Sequence, residues 1–77
     1  MARRLNYREI AAELAEEIMS GERASGSQLP SYAELAELYD VSVTTAYRAV
    51  RILRDGWAMI YGEPGRGVYV ADRRHWK

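Results

Sequence analysis

Thr44, Tyr47, Arg48 and Arg51 are the residues of this chain whose types and spacing best suit contact with a ligand. Ala46, Ala49, Val50 and Leu53 fall at i, i+3, i+4 and i+7, one face of a helix, and the hydroxyls and guanidiniums lie outside that face. Ser42 precedes them as an N-cap, its hydroxyl placed to accept from an orphan backbone N–H one turn in. The segment from Ser42 to Arg54 is therefore predicted to be a helix with a buried stripe and a polar, cationic outer face. Such a helix can lie in a DNA major groove. It fits a solvated helix face equally well, and the flanking chain must decide.

Other chemistries find little support. The 77 residues make one domain at most. There is no cysteine for a disulfide framework or a thiolate site, and the single histidine, His75, cannot build a metal cluster. Glu13, Glu16 and Glu17 read as the solvated side of a helix. No nucleophile–base pair or convergent carboxylate pair stands out, so neither an enzyme nor a cofactor is expected. No apolar run approaches the roughly 20 residues of a membrane span. Met-Ala-Arg-Arg is not followed by an apolar stretch of signal-peptide type. A small, soluble, cytoplasmic protein without a membrane partner is expected.

The formal net charge is zero, yet it is unevenly distributed. Residues 1–40 carry four arginines and eight acids, a net of −4. Residues 41–77 carry six arginines and Lys77 against three acids, a net of +4. Local positive charge is what a polyanion meets.

The elements around residues 42–54 follow from local signals. A first helix is predicted from about Tyr7 to Met19, opened by Asn6 and Glu9 as a capping box and ended at Ser20-Gly21. Its stripe is Ile10, Ala11, Leu14 and Ile18, with Tyr7 as a lid on the core. A loop over residues 21–30 precedes a second capping box, Ser31 with Glu34. Leu35 and Leu38 are the expected core positions of that second helix, with Ala36 and Tyr39 beside them. Asp40 ends it, because aspartate tolerates positive φ better than most residues. Two short helices joined by about three residues form a helix-turn-helix pattern. Trp57–Tyr61 and Val68–Val70 are β-prone and flank the turn-rich Gly62-Glu-Pro-Gly-Arg-Gly67. The fold class is mainly α with a β-hairpin: three helices plus a wing, a winged helix-turn-helix. Residues 1–6 read as an N-terminal arm, 7–71 as the domain and 72–77 as a flexible basic tail. Trp57 is expected in the core. Trp76 fits a partner site or packing against the first helix, and Arg3 and Arg4 fit a mobile arm reaching a phosphate.

The ordered motifs resemble the DNA-binding domain of the GntR family of bacterial transcription regulators. The resemblance covers about Tyr7 to Val70. It rests on Tyr7, Ile10-Ala11, Leu14, Ile18 and Gly21; on Leu29-Pro30-Ser31 with Glu34-Leu35-Ala36; on Val41-Ser42 with Thr45 and Ala49; on Leu53 and Gly56; and on Gly65-Arg66-Gly67-Val68-Tyr69-Val70. It implies that helix 42–54 reads the major groove while the wing over 62–67 approaches the minor groove. By position, it implies a phosphate contact at Ser31, contacts at the helix start from Ser42, Thr44 and Thr45, and a wing-tip contact from Gly65, Arg66 and Gly67. Arg48 and Arg51 join these from the helical face alone.

Departures from the family pattern are informative. Tyr32-Ala33 stand where Glu-Arg is frequent, and Val43 and Tyr47 stand where arginines are common. Either the operator is unusual, with Val43 touching a thymine methyl and Tyr47 making apolar or hydroxyl contact, or affinity is low and relies on dimers or repeated sites. Tyr32, Val43 and Tyr47 are therefore counted with the DNA-binding residues. Family members usually carry a larger C-terminal effector and dimerisation domain, whereas this chain stops about seven residues past the wing. It reads as a minimal regulator or as the DNA-binding part of a longer one, and no small-molecule effector is indicated. The leading expectation is a sequence-specific regulator, a repressor, acting as a homodimer on double-stranded DNA. A phage or mobile-element architectural or excision factor on tandem sites is the alternative, and a winged helix for protein–protein contact is a third.

Overall fold

The computed structural model describes residues 5–77. The mobile arm anticipated at Arg3 and Arg4 lies outside the described residues. Helix α1 spans Tyr7–Met19 and carries the expected capping box: Asn6 accepts from the Glu9 N–H at 2.8 Å, and the Asn6 N–H donates to Glu9 at 3.0 Å. Its stripe of Ile10, Ala11, Leu14, Ala15 and Ile18 is buried. Helix α2 spans Tyr32–Tyr39 and opens on the Ser31–Glu34 box. It closes at Asp40, whose φ of 54° and ψ of 51° are left-handed. The Val41 N–H reaches back to the Ala36 carbonyl at 2.9 Å, so the stop is a Schellman-type cap with an apolar residue just beyond it. Three residues later helix α3, Val43–Arg51, begins at Ser42.

Helix α3 packs against both α1 and α2. Ile10, Leu14, Leu35, Val50, Leu53 and Val70 are the largest fully buried side chains, so the three α-helices, the segment after α3 and the second wing strand share one core. Among the described residues no buried side-chain polar atom lacks a hydrogen-bond partner. No helix among them is long and apolar enough to cross a membrane.

The hairpin pairs β1, Ile60–Glu63, with β2, Gly67–Val70, in antiparallel register from Ile60 opposite Val70 to Glu63 opposite Gly67. The tip is a type II turn. Pro64 takes its second position and Gly65, at φ 76°, its third, and the Arg66 N–H returns to the Glu63 carbonyl at 3.0 Å. The loop before α2 is more than a connection. Gly26 and Leu29 donate to Val70 and Val68, and Val70 donates to Ser27, at 2.8–2.9 Å. This stretch therefore runs along the outer edge of β2 and ties the wing to the body.

Four expectations are corrected. First, the third helix does not continue as an α-helix to Arg54. Residues Ile52–Gly56 widen into a π-helical turn, with the Trp57 N–H reaching Ile52 at 3.1 Å. Second, the first wing strand starts at Ile60 rather than Trp57, because Ala58 sits at φ 52° and breaks the extended run. Trp57 caps the π turn and is 37% exposed instead of lying in the core. Third, Leu38 is 63% exposed. In an eight-residue helix the core side is set by its neighbours, and Leu35 and Ala36 take it. Fourth, the tail folds back instead of lying free. Asp72 caps a 3₁₀ turn at Arg73–His75, the Trp76 indole N–H donates to the Ala71 carbonyl at 3.1 Å, and the Lys77 N–H donates to the Trp57 carbonyl at 2.8 Å. Arg73 lies over the Trp76 ring at 4.8 Å and donates to the Met19 carbonyl at the end of α1.

Candidate nucleic-acid interface

Helix α3 presents its predicted residues in two groups. Ser42 and Thr45 are turned onto each other: the Ser42 hydroxyl accepts from the Thr45 N–H at 3.1 Å and donates to the Thr45 hydroxyl at 3.0 Å. Thr45 is half-buried as a result. Val43, Thr44, Tyr47, Arg48 and Arg51 are exposed, Val43 by 51%, although Val43 and Tyr47 are large apolar side chains. The buried residues of α3 are Ala46, Ala49 and Val50, so the exposed group lies on the side turned away from the core.

Tyr47 does not stand free. Its ring meets Tyr32 edge-on, with centroids 5.4 Å apart and planes at 87°. Tyr32 sits at the start of α2 and is half-buried, so it works as a buttress that sets the angle of Tyr47. Ser31, one residue earlier, accepts from the Glu34 N–H at 3.1 Å, and its own N–H donates to the Glu34 carboxylate at 2.8 Å. Those bonds, the backbone one foremost, hold the Glu34 carboxyl below its ordinary range.

An open cleft of about 850 Å³ separates the amino end of α2 from the wing. Ser31 and Tyr32 form one wall, and Gly65, Arg66 and Gly67 form the other. The predicted residues thus fall into two places: this cleft and the outer face of α3, joined by the Tyr32–Tyr47 contact. Sequence reasoning passed over two residues here. Gln28 donates from Nε2 to the Arg66 carbonyl at 2.8 Å and fixes the tip from 38 residues away. No local pattern signals so distant a contact. Arg54 lines the cleft from the end of the third helical element. Its position seven residues past Tyr47 and three past Arg51 repeats the helical spacing and was a legible signal.

Arg54 and Arg51 share one carboxylate. Arg54 Nε donates to Asp55 Oδ1 at 3.1 Å, and Arg51 Nε donates to Oδ2 at 3.4 Å. These contacts, that of Arg54 first, hold the Asp55 carboxyl below its usual range. Asp55 and, secondarily, the Tyr47 hydroxyl hold Arg54 more firmly protonated than an isolated guanidinium.

The model of the bacterial regulatory proteins of the gntR family matches residues 6–70. Among solved structures, a GntR family transcriptional regulator from Listeria monocytogenes is 34% identical, superposes with a TM-score of 0.82 and matches 90% of this chain. A transcriptional regulator from Oenococcus oeni shares the fold at 22% identity, with a TM-score of 0.81 over 95% of this chain. The chain spans 60% and 59% of the lengths of those two proteins. The N-terminal domain of AraR, solved in complex with a mutant ORR3, is 25% identical with a TM-score of 0.74; the match covers 92% of this chain and 97% of that one. A comparison with proteins of curated function finds no match. With a capped helix-turn-helix followed by a glycine-tipped hairpin, this chain belongs to the GntR family of bacterial regulatory proteins and forms its winged helix DNA-binding domain.

Proposed function

We propose that the chain is a sequence-specific transcriptional repressor that inserts the amino-terminal half of α3 into the major groove and the wing tip into the adjacent minor groove. The observation that carries this reading is the exposed group on α3. Val43, Thr44, Tyr47, Arg48 and Arg51 stand together on a capped helix whose opposite face is fully committed to the core. Val43 and Tyr47 are large apolar side chains left exposed on that face, and they suit thymine methyls and base edges. Arg48 and Arg51 supply charge-assisted hydrogen bonds. At the wing, Gly65 and Gly67 permit close approach, and Arg66 suits the negative potential of a narrow minor groove.

A single domain of this size has few base contacts, so the repressor is proposed to act in the cytoplasm as a homodimer on a two-fold repeated site. Selection of binding sites from a random duplex library tests the reading. One enriched motif is expected, with Arg48→Ala weakening binding to it by about 1–3 kcal/mol and relaxing preference at one base pair. Recovery of no motif, with Arg48→Ala indistinguishable from the parent, refutes it.

A further inference from the structure

Neighbouring major and minor grooves of a duplex are separated by one sugar-phosphate strand. A protein that places a helix in one groove and a hairpin in the next must pass that strand between them. In this molecule the passage is the cleft between α2, the end of the third helical element and the wing. We propose that Arg54 is the residue that binds a phosphate of this strand.

Geometry on the helix supports the assignment. Val43, Tyr47 and Arg51 follow one another at steps of four residues along α3, and Arg54 follows three residues on, in the π-helical turn. The eight residue steps of α3 from Val43 to Arg51 advance about 12 Å, which matches the width of the major groove, about 12 Å, and Arg54 lies one turn further on. With Val43 among the bases, Arg54 lies beyond the groove edge and level with the backbone. It faces the same cleft as Arg66 of the wing tip.

The side chain is also prepared for an anion. Asp55 engages Arg54 through Nε, and that leaves the two terminal Nη groups for a second oxygen acid. Glu34 and Glu63 also line the cleft, so its two cations are matched in number by two acids. Glu34 is committed to the Ser31 N–H. With its charges balanced, the cleft offers a phosphate no general positive field, so binding there rests on an individual cation. Ala33, where the family frequently has arginine, leaves α2 without a cation of its own between Tyr32 and Tyr39. Arg54 supplies positive charge to the same stretch of backbone from the other side.

This assignment rests on the two-groove reading above, and the test separates them. Binding of the whole chain to a random-sequence 30-base-pair duplex is measured across salt concentration for the parent, Arg54→Ala, Arg54→Lys, Arg48→Ala and Arg74→Ala. One lost phosphate contact flattens the log–log slope by about 0.9 and weakens binding about eightfold near 0.1 M salt. That result is expected for Arg54→Ala, with Arg54→Lys retaining most of the slope and the tail variant Arg74→Ala unchanged. Matching thermal melts of the five proteins exclude misfolding as the cause. A parental slope in Arg54→Ala alongside a reduced slope in Arg48→Ala overturns the Arg54 assignment and leaves the groove reading standing. Parental slopes in both variants overturn the Arg54 assignment alone, and no salt-dependent binding by the parent overturns both.

Discussion

Replacing Gly67 by alanine reports how the wing tip is held. Gly67 has φ +126°, and a Cβ built there would lie 2.6 Å from Gln28 Nε2. That nitrogen is the end of a flexible side chain, so Gln28 swings aside and gives up its 2.8 Å bond to the Arg66 carbonyl. The lost bond costs about 1 kcal/mol. The φ lies beyond the left-handed well near +57° that other residues tolerate, and holding alanine there costs about 2 kcal/mol. Together these give about 3 kcal/mol. Gly65 is the internal comparison, because its φ is +76° and a Cβ there meets nothing within 4 Å. Only the left-handed penalty of about 1 kcal/mol applies to Gly65→Ala. At about 4–8 °C per kcal/mol for a domain of this size, Gly67→Ala should melt about 12–24 °C lower and Gly65→Ala about 4–8 °C lower. Circular dichroism melts of both variants, of Gln28→Ala and of the Gln28→Ala/Gly67→Ala pair complete the test. Once Gln28 is gone, the Gly67→Ala cost should fall to about 2 kcal/mol, a coupling of about 1 kcal/mol. Equal melting of the two glycine variants, or additivity of the pair within about 0.3 kcal/mol, would refute the reasoning.

Three other perturbations address the body of the domain. Leu35→Ala should cost about 2–5 kcal/mol in urea unfolding, whereas Leu38→Ala, at an exposed site, should stay within about 0.5 kcal/mol; equal costs would contradict the burial of α2 described above. The Tyr39 hydroxyl is pushed up to about 12, first by burial and then by the Glu13 and Glu17 carboxylates. Its neutral form is favoured in the fold, so stability is full below the ordinary value of 10.0 and falls as pH rises toward 12. Alkaline melts of Tyr39→Phe should lack that part of the loss, and an unchanged pH profile would exclude Tyr39 as its source. Glu34 is depressed below its ordinary 4.5, so its contribution is full above that pH and fades as pH falls through the lower folded value. Glu34→Gln should flatten the acid limb of the melting profile, and a limb of undiminished steepness would place the titration elsewhere.

The parts of the fold that were legible in sequence are those governed by neighbours along the chain. Asn6 with Glu9 and Ser31 with Glu34 satisfy orphan N–H groups three residues away, and both helices begin where those pairs require. Asp40 is left-handed because a three-residue turn between helices needs such a position. Leu38 and Trp57 were misplaced because their burial depends on which elements pack beside them. In a two-turn helix the 3.6-residue period leaves Leu35 and Leu38 nearly equivalent, and contact with α3 decides. The π turn is invisible to a 3.6-residue wheel, so both the end of the third helix and the start of the wing slipped. The tail did carry a local sign: Asp72 is a good N-cap, and it caps the 3₁₀ turn that brings Trp76 back. Within the candidate interface, the outer face of α3 followed from periodicity. The hold of Gln28 on Arg66 joins residues remote in sequence, and only the folded chain brings them together.

The π-helical turn at Ile52–Gly56 also sets a length. A π turn accommodates one extra residue within an otherwise α-helical path. That residue is slack in the connection between α3 and Met59 and Ile60, which are both buried in the core. The hairpin is held on its other side by Gly26, Ser27 and Leu29, so it does not follow the helix if the connection shortens. Deleting one residue here would pull instead on Ala58, which already sits at φ 52°. Residues 52–56 thus act as a spacer whose length lets the third helix and the wing stay docked on one core.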